Sequence, residues 1–530
     1  MAEKVYGTRP RTAEAAIAFA PALPREEAAW AEAFTVPDGR RPVETVVVTH
    51  VNRPHRATLR FLDPDHRAVA ELGAGLGAGV RVTALRDAEP APVPLFTGEV
   101  VGLGSVADVE SRTGACTVVR AADRGYWLAL RPRVTAFRGQ RLAQVVEAVA
   151  RRAGLRAAVT VAGGVTEEVC VDQTLVTDWD YLQELALTYD AQIRVDGWAL
   201  TFGPLPGAVA APSTDTGEAQ SPYVLRYGSN LLDVQAFLAD EGDVSVQVRS
   251  CEADRPLTPP AVAADTTPHA DPGRAPRAGA GGGPAAAGGS ATDPLVVPGI
   301  QFTAYDQVAR ATRGLAVEVA DTRLTVEAQA TGSPRLSAGR PVALENLGVP
   351  FTGRYTIAEA EHVIDGHGYR TRLSINRTHP SVPSVPGTPY PLSGTAPVPG
   401  PARAEVTAVE PPDETRCGRV KVRFPWLDDT YEVWADVVQW NRGSLVLPAE
   451  KDLVLVQFEH GRLDRPLVTG FLDSTGGGPP SWARPAEGTP RRQGVGDQNG
   501  TAYLGFTDDG ELTLSSDKKI TLKAPTVEIN

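Results

Sequence analysis

The sequence predicts a mainly β protein with minor α content, divided among several domains. Three observations predict it. At 530 residues the chain is too long for one ordinary core. Its 52 glycines and 45 prolines supply frequent turns, with Val, Thr and Leu in short runs between them. Two stretches between residues 139 and 190 read as amphipathic helices, against many strand-like runs elsewhere.

In chain order, residues 1–40 read as an N-terminal extension and 41–135 as a first barrel. Within the latter, "VETVVVTHVNRPHRATLRFLD" (43–63) alternates as two strands around a turn at Asn52-Arg53-Pro54, and "GVRVTAL" and "PLFTGEVVGL" add strands. Residues 136–252 form a helix-containing region. In "GQRLAQVVEAVARRAGL" (139–155), Leu142, Val145, Val146 and Val149 make one apolar face, and Gly154 is placed to end the helix. Thr177 is the expected N-cap of a second helix, with Asp178 and Asp180 in its first turn and Leu182, Leu185, Ala186 and Tyr189 as its buried stripe. A hairpin follows around Asp196-Gly197.

Residues 253–298 turn to Ala, Gly and Pro and predict a flexible insertion. A second barrel at 299–380 and a Pro-rich linker at 381–401 come next. Five strand candidates then crowd into 402–472: "AEVTAVE", "CGRVKVRFP", "EVWADVVQW", "DLVLVQFE" and "PLVTGFL". That density fits a small closed barrel of the OB type. Residues 473–510 read as a loop-like connector. An internal similarity links the two larger barrels: "LGAGVRV…LFTGEV" (76–82, 95–100) returns as "LSAGRPV…PFTGRY" (336–342, 350–355).

The last segment, "ELTLSSDKKITLKAPTVEIN" (511–530), holds three apolar pairs with strand spacing: Leu512/Leu514, Ile520/Leu522 and Val527/Ile529. Burying six side chains falls short of the conformational entropy of ordering the segment, so a monomeric tail cannot fold alone. It must dock elsewhere, or several copies must bury each other's faces.

Composition excludes more chemistry than it suggests. A net charge of −12 without a basic cluster argues against nucleic acid as a partner. Cys116, Cys170, Cys251 and Cys417 are too scattered for a zinc site or a disulfide framework. The first residues lack a secretory signal pattern, and no run of 18 apolar residues spans a membrane. "EHVIDGHGY" (361–369) gathers Glu361, His362, Asp365 and His367, yet its spacing suits a strand–turn–strand better than a metal site. His50 and His55 flank another turn. The carboxylate pairs Asp178/Asp180, Glu359/Glu361 and Asp508/Asp509 are explained by caps and turns more simply than by glycoside hydrolysis. "GAGLGAG" (73–79) opens into no helix of a parallel-strand unit, which argues against a phosphate cradle, and G-x-S-x-G is absent. The expectation is a non-enzymatic protein without cofactor or metal.

The order of parts resembles the VgrG-like spike proteins of contractile injection systems, themselves similar to the fused hub and spike of contractile phage tails. Three stretches carry the resemblance: "TLVTDWDYLQELALTYDAQIRVDGWALTFGP", "LSAGRPVALENLGVPFTGRYTIAEAEHVIDGHGYRTRLSINR" and, most specifically, "GRVKVRFPW…VLPAEKDLVLVQFEHGRLDRPLVTGF". It implies two hub barrels with an α/β insertion, an OB-fold and a short C-terminal trimeric β-prism at 511–530. It implies a homotrimer whose six hub barrels match a hexameric inner tube, assembled with baseplate proteins in the bacterial cytoplasm as part of a phage tail-like particle. Leu512, Leu514, Ile520, Leu522, Val527 and Ile529 would then be the prism core, and Val527, Ile529 and Asn530 the seat of a PAAR-type tip protein. The trimer would cap the tube, touch the target membrane transiently and puncture it; the insertion at 253–298 is a candidate contact for baseplate or effector cargo. A tail-associated cell-wall hydrolase and a carbohydrate-binding tail protein are the rival readings. A lysozyme-sized domain would not fit within 473–510.

Overall fold

The structure is a computed structural model. It describes residues 14–85, 92–107, 114–137, 139–161, 172–189, 191–205, 211–212, 221, 223–238, 245–252, 255–258, 260, 262–263, 295–298, 305–348, 351–375, 400–412, 418–427, 430–440, 445–472, 483, 492–496, 501–507, 509–521 and 523. They fall into two units, Met1–Ala396 and Pro397–Asn530.

The first unit is organised by a 13-stranded sheet. From one edge its main path runs Leu231–Leu238, Leu324–Thr331, Gly368–Ile375, Gly353–Asp365, Glu44–His50, Arg56–Leu62, Ala115–Ala122, Val93–Ala107, Gly79–Leu85, Glu14–Ala20 and Phe34–Thr35. The two strand sets expected as separate barrels are therefore continuous, joined where Gly353–Asp365 pairs antiparallel with Glu44–His50, from Glu359 opposite His50 to Asp365 opposite Glu44. Two cores lie along it, the first taking in Ile364 and Tyr369 from the second half. Ile17, Val47, Leu59, Phe61, Val80 and Val82 centre the first; Val326, Leu336, Val342, Tyr355, Ile357 and Leu373 centre the second. The extension expected over residues 1–40 is corrected: Glu14–Ala20 pairs along its whole length with Gly79–Leu85, because Ile17 and Phe19 belong to that first core.

The internal similarity marks one equivalent hairpin in each half. Strand Gly79–Leu85 pairs with Val93–Ala107, and Pro341–Glu345 pairs with Gly353–Asp365. Ala78 and Ala338, Val82 and Val342 are buried in both copies; Leu336 is buried where Leu76 is exposed.

The helical insertion follows the sequence closely. Helix Leu142–Arg152 buries Leu142, Val145, Val146 and Val149, and Gly154 follows it at φ 72, the left-handed region a helix end favours. Thr177 caps helix Asp178–Thr188, accepting from the Asp180 amide at 3.1 Å. The turn residue Asn52, at φ 61, ties this insertion to the sheet. Its Oδ1 accepts from the Ile193 amide at 2.7 Å, its Nδ2 donates to Gln192, and its carbonyl accepts from Trp179 Nε1 at 3.0 Å.

Two elements depart from expectation. Helix Tyr305–Arg323 opens the segment read as purely strands; it buries Val308, Ala311, Thr312, Leu315 and Ala316, a full helical stripe. The insertion at 253–298 is not structureless at its ends. Arg255–Leu257, Val262–Ala263 and Leu295–Pro298 all pair with strand Ser245–Glu252, whose Val246 and Val248 are buried. Residues 264–294 and the linker at 381–399 lie outside the described residues.

In the second unit the five predicted strands close into a barrel: Ala402–Glu410, Arg419–Arg423, Glu432–Val437, Pro466–Phe471, Leu453–Phe458 and back to the first. Only Glu432–Val437 and Pro466–Phe471 run parallel. Inward alternation fills it with Val406, Val420, Val422, Phe424, Val433, Val454 and Val456.

Candidate interaction surface at the C-terminal sheet

After the barrel comes a three-stranded antiparallel sheet of Arg492–Gly496, Ala502–Thr507 and Leu512–Ser516. Two of these strands fall in the segment read as a connector, which corrects that reading. The pair Leu504/Phe506 and the Asp509-Gly510 turn were the available signal. Gly510 takes φ 90, its amide donates to the Thr507 carbonyl at 3.0 Å, and the Glu511 amide donates to Thr507 Oγ1 at 3.1 Å.

Register decides what this sheet presents. Val495 lies opposite Leu504, Leu504 opposite Leu514, and Phe506 opposite Leu512. With strand periodicity all five share one face. The reverse face carries Arg492, Gly494, Gly496, Tyr503, Gly505, Thr507, Thr513 and Ser515, with Tyr503 its one large apolar ring. The apolar face is open: Val495 is 58% exposed, Leu504 45%, Phe506 49%, Leu512 70% and Leu514 52%. A sheet with one apolar face is stable once another layer covers it. Gly494 brings two strands into close approach, since a Cβ there would lie 2.1 Å from the Leu504 carbonyl oxygen.

Leu512 and Leu514 thus sit in this surface, joined by Val495, Leu504 and Phe506, which the sequence reading did not single out. Ile520 is 46% exposed and lies beyond the last described strand. Leu522, Val527, Ile529 and Asn530 lie outside the described residues.

The titratable groups singled out by sequence are engaged elsewhere. Glu361 and Asp365 lie on one face of their strand and pair with Arg372 at 2.8 Å and Arg370 at 2.6 Å, while His362 is buried on the other. Asp178 is buried against Arg152 and accepts from Gln173 Nε2 at 2.9 Å. Burial lowers His50, His55 and His362 to about 4, so all three are neutral at neutral pH. Burial raises Asp123 to about 7 against the opposing hydrogen bonds from the His55 and Gly125 amides. Among the described residues no group of three His, Cys, Asp or Glu is placed to hold a metal ion, and no helix is long and apolar enough to cross a membrane.

Residues 402–472 match the family described as the type VI secretion system/phage-baseplate injector OB domain. A search of curated proteins finds no match to the chain. Among solved structures, the chain is similar to an Escherichia coli component of the type VI secretion system, itself described as structurally similar to the T4 bacteriophage tail proteins gp27 and gp5. The TM-score is 0.51 at 14% identity over 82% of this chain and 97% of that one. It is also similar to a chain of the lidless PdpA–VgrG complex, with a TM-score of 0.53 at 9% identity over 97% and 96% of the two chains. The half-lidded Francisella PdpA–VgrG complex gives 0.53 at 9% identity over 97% and 86%. Residues 402–472 therefore match the injector OB domain family, and the chain shares its fold with the type VI secretion component and with the chain of the PdpA–VgrG complex, in line with the resemblance its sequence carries.

Proposed function

We propose that the chain is the structural hub and spike of a contractile injection system, acting as a homotrimer without enzymatic activity. The observation that carries this reading is the open apolar face of Val495, Leu504, Phe506, Leu512 and Leu514, directly downstream of an injector OB domain. Three copies would cover one another's faces and build a prism. The two related hub halves in each chain would present six similar units to a hexameric inner tube. The trimer would cap that tube, nucleate assembly with baseplate proteins, carry a PAAR-type tip at Val527–Asn530, and puncture the target membrane when the sheath contracts.

Native mass measurement tests this directly. A species of about 168 kDa, three times 56.0 kDa, is expected, and a stable monomer contradicts the reading. Cutting the chain after Gly510 removes one strand of the sheet and is expected to weaken the trimer. Peptidoglycan clearing by the purified protein would favour the hydrolase reading instead. The exposed Trp426 (48%) and Trp440 (81%) of the small barrel favour a second reading, sugar binding; a glycan array probed with the full chain distinguishes it.

A further inference from the structure

The first unit contains a cavity of about 390 Å³ unrelated to the C-terminal sheet. Its walls come from the hairpin Gln192–Asp196/Ala199–Gly203, the start of strand Val93–Ala107, and the loop 334–340. Both copies of the internal similarity reach it: Phe96 and Thr97 from the first, Ser337 and Ala338 from the second.

Its charge is one-sided. Arg194, Arg335 and Arg340 line it, against Asp196 as the single carboxylate of the lining. Arg335 and Arg340 are exposed and Arg194 is half-buried, whereas His362 is fully buried. Among the described residues neither Arg194 nor Arg340 is in an ion pair. Burial, followed by the charge of Arg340, lowers the Arg194 pKa, so the two guanidinium groups feel each other. Gly339, at φ 78, holds its backbone against Arg194; a Cβ there would lie 3.2 Å from both Arg194 Cδ and Nη1. Gathering like charges around a cavity costs Coulomb energy that an anion would reverse.

A neutral donor completes the lining. His362 Nδ1 lies 2.9 Å from the Tyr369 hydroxyl, while its Nε2 has no partner of hydrogen-bond geometry among the described residues. The Leu336 carbonyl is near enough to oppose the effect of burial on the ring but not to cancel it. Where Nδ1 accepts from the Tyr369 hydroxyl, the ring proton resides on Nε2 and can donate to an anion in the cavity.

We propose that this cavity binds a phosphate group, held between Arg194 and Arg340 in the field of Arg335, with His362 Nε2–H as an added donor. Guanidinium groups suit this ligand because their paired N–H donors match its oxygens. The test is calorimetric titration of inorganic phosphate into the full-length protein at constant ionic strength, with chloride as the reference. One saturable site per chain is expected, and sulfate, which has similar shape and charge, is expected to compete. Arg340→Gln and Arg194→Gln should each weaken binding about tenfold, as loss of a charge-assisted hydrogen bond does. Arg120→Gln, an exposed arginine outside the lining, should leave it unchanged. Should Arg194→Gln misfold, the exposed Arg340 still permits the comparison. No saturable phosphate signal beyond chloride, or equal weakening by Arg120→Gln, overturns the proposal.

Discussion

The small barrel and the sheet that follows it share the same alternation of apolar and polar residues, yet bury it to opposite degrees. Val406, Val420, Val422, Val433, Val454 and Val456 of the barrel are at most 1% exposed, whereas the five apolar residues of the sheet are 45–70% exposed. Closure is the difference. Five strands curl until their inner side chains meet, while three strands leave one face without a second layer. The barrel covers its own apolar face; the sheet leaves its apolar face open, the surface on which the proposed trimer rests.

That contrast can be broken most forcefully at the sheet. Replacing Phe506 and Leu514 together by Asp is expected to weaken association of the proposed trimer about a hundredfold or more, since two side chains worth about 1.5–3 kcal/mol each would no longer be buried there. The small barrel should stay folded, so light scattering would fall towards 56.0 kDa without loss of the barrel's circular dichroism. A trimer that survives the double substitution would remove the sheet from the assembly. At the barrel, Phe424→Ala should do the reverse and destabilise each chain locally by about 3–5 kcal/mol. Phe424 is fully buried and packs with Phe458 at 5.5 Å between ring centroids. Hydrogen exchange over 402–472 should rise sharply; unchanged protection would contradict the packing described above.

A smaller contrast separates the two units by pH. His50, His55 and His362 have folded pKa values near 4, below their ordinary 6.5, so the unfolded chain binds more protons between those values. Their contribution is complete above pH 6.5 and is lost as pH falls towards 4. Asp123 opposes this, because a carboxyl raised to about 7 stabilises the fold most below pH 4 and loses that contribution as pH rises through 7. Burial also raises the Glu359 carboxyl, so three histidines act against two carboxyls, and the first unit should gain stability from pH 4.5 to 6.5. His362→Gln should remove one proton's share of the slope, about 1.4 kcal/mol per pH unit. A slope that His362→Gln leaves unchanged in urea titrations would contradict the burial assigned to that ring. In the second unit the hydrogen bond from Lys421 lowers Glu432, a half-exposed contact of small consequence.

Local patterns explain which parts were legible. Thr177, the stripe Leu142/Val145/Val146/Val149 and the five barrel strands carry their own caps and periods, and each formed where its residues pointed. Strand Glu14–Ala20 did not stand out, because "EAAIAFA" is largely alanine and becomes a strand by pairing with Gly79–Leu85. Helix Tyr305–Arg323 had a readable stripe beginning at Val308, obscured by the expectation of a second all-strand barrel. Strand Leu295–Pro298 was hidden by the Gly- and Ala-rich stretch before it.

The C-terminal surface was half legible. Leu512 and Leu514 declared a strand face, but Val495, Leu504 and Phe506 join it through register, which pairs residues across two turns. The cavity was not legible at all, since Arg194, Arg340 and His362 are far apart in sequence and share no motif.

The local elements of this protein are written in its sequence: its strand-rich class, the closed five-strand barrel, the capped helices and a C-terminal strand with an apolar face. Those follow from side-chain period, turn chemistry and the cost of ordering a chain, all of which act over neighbouring residues. Tertiary contacts set the rest: the two related halves of the first unit form one sheet, the C-terminal apolar face begins at Val495, and three arginines line one cavity. Each of these depends on contacts between segments distant in the chain, where geometry rather than periodicity selects the partner.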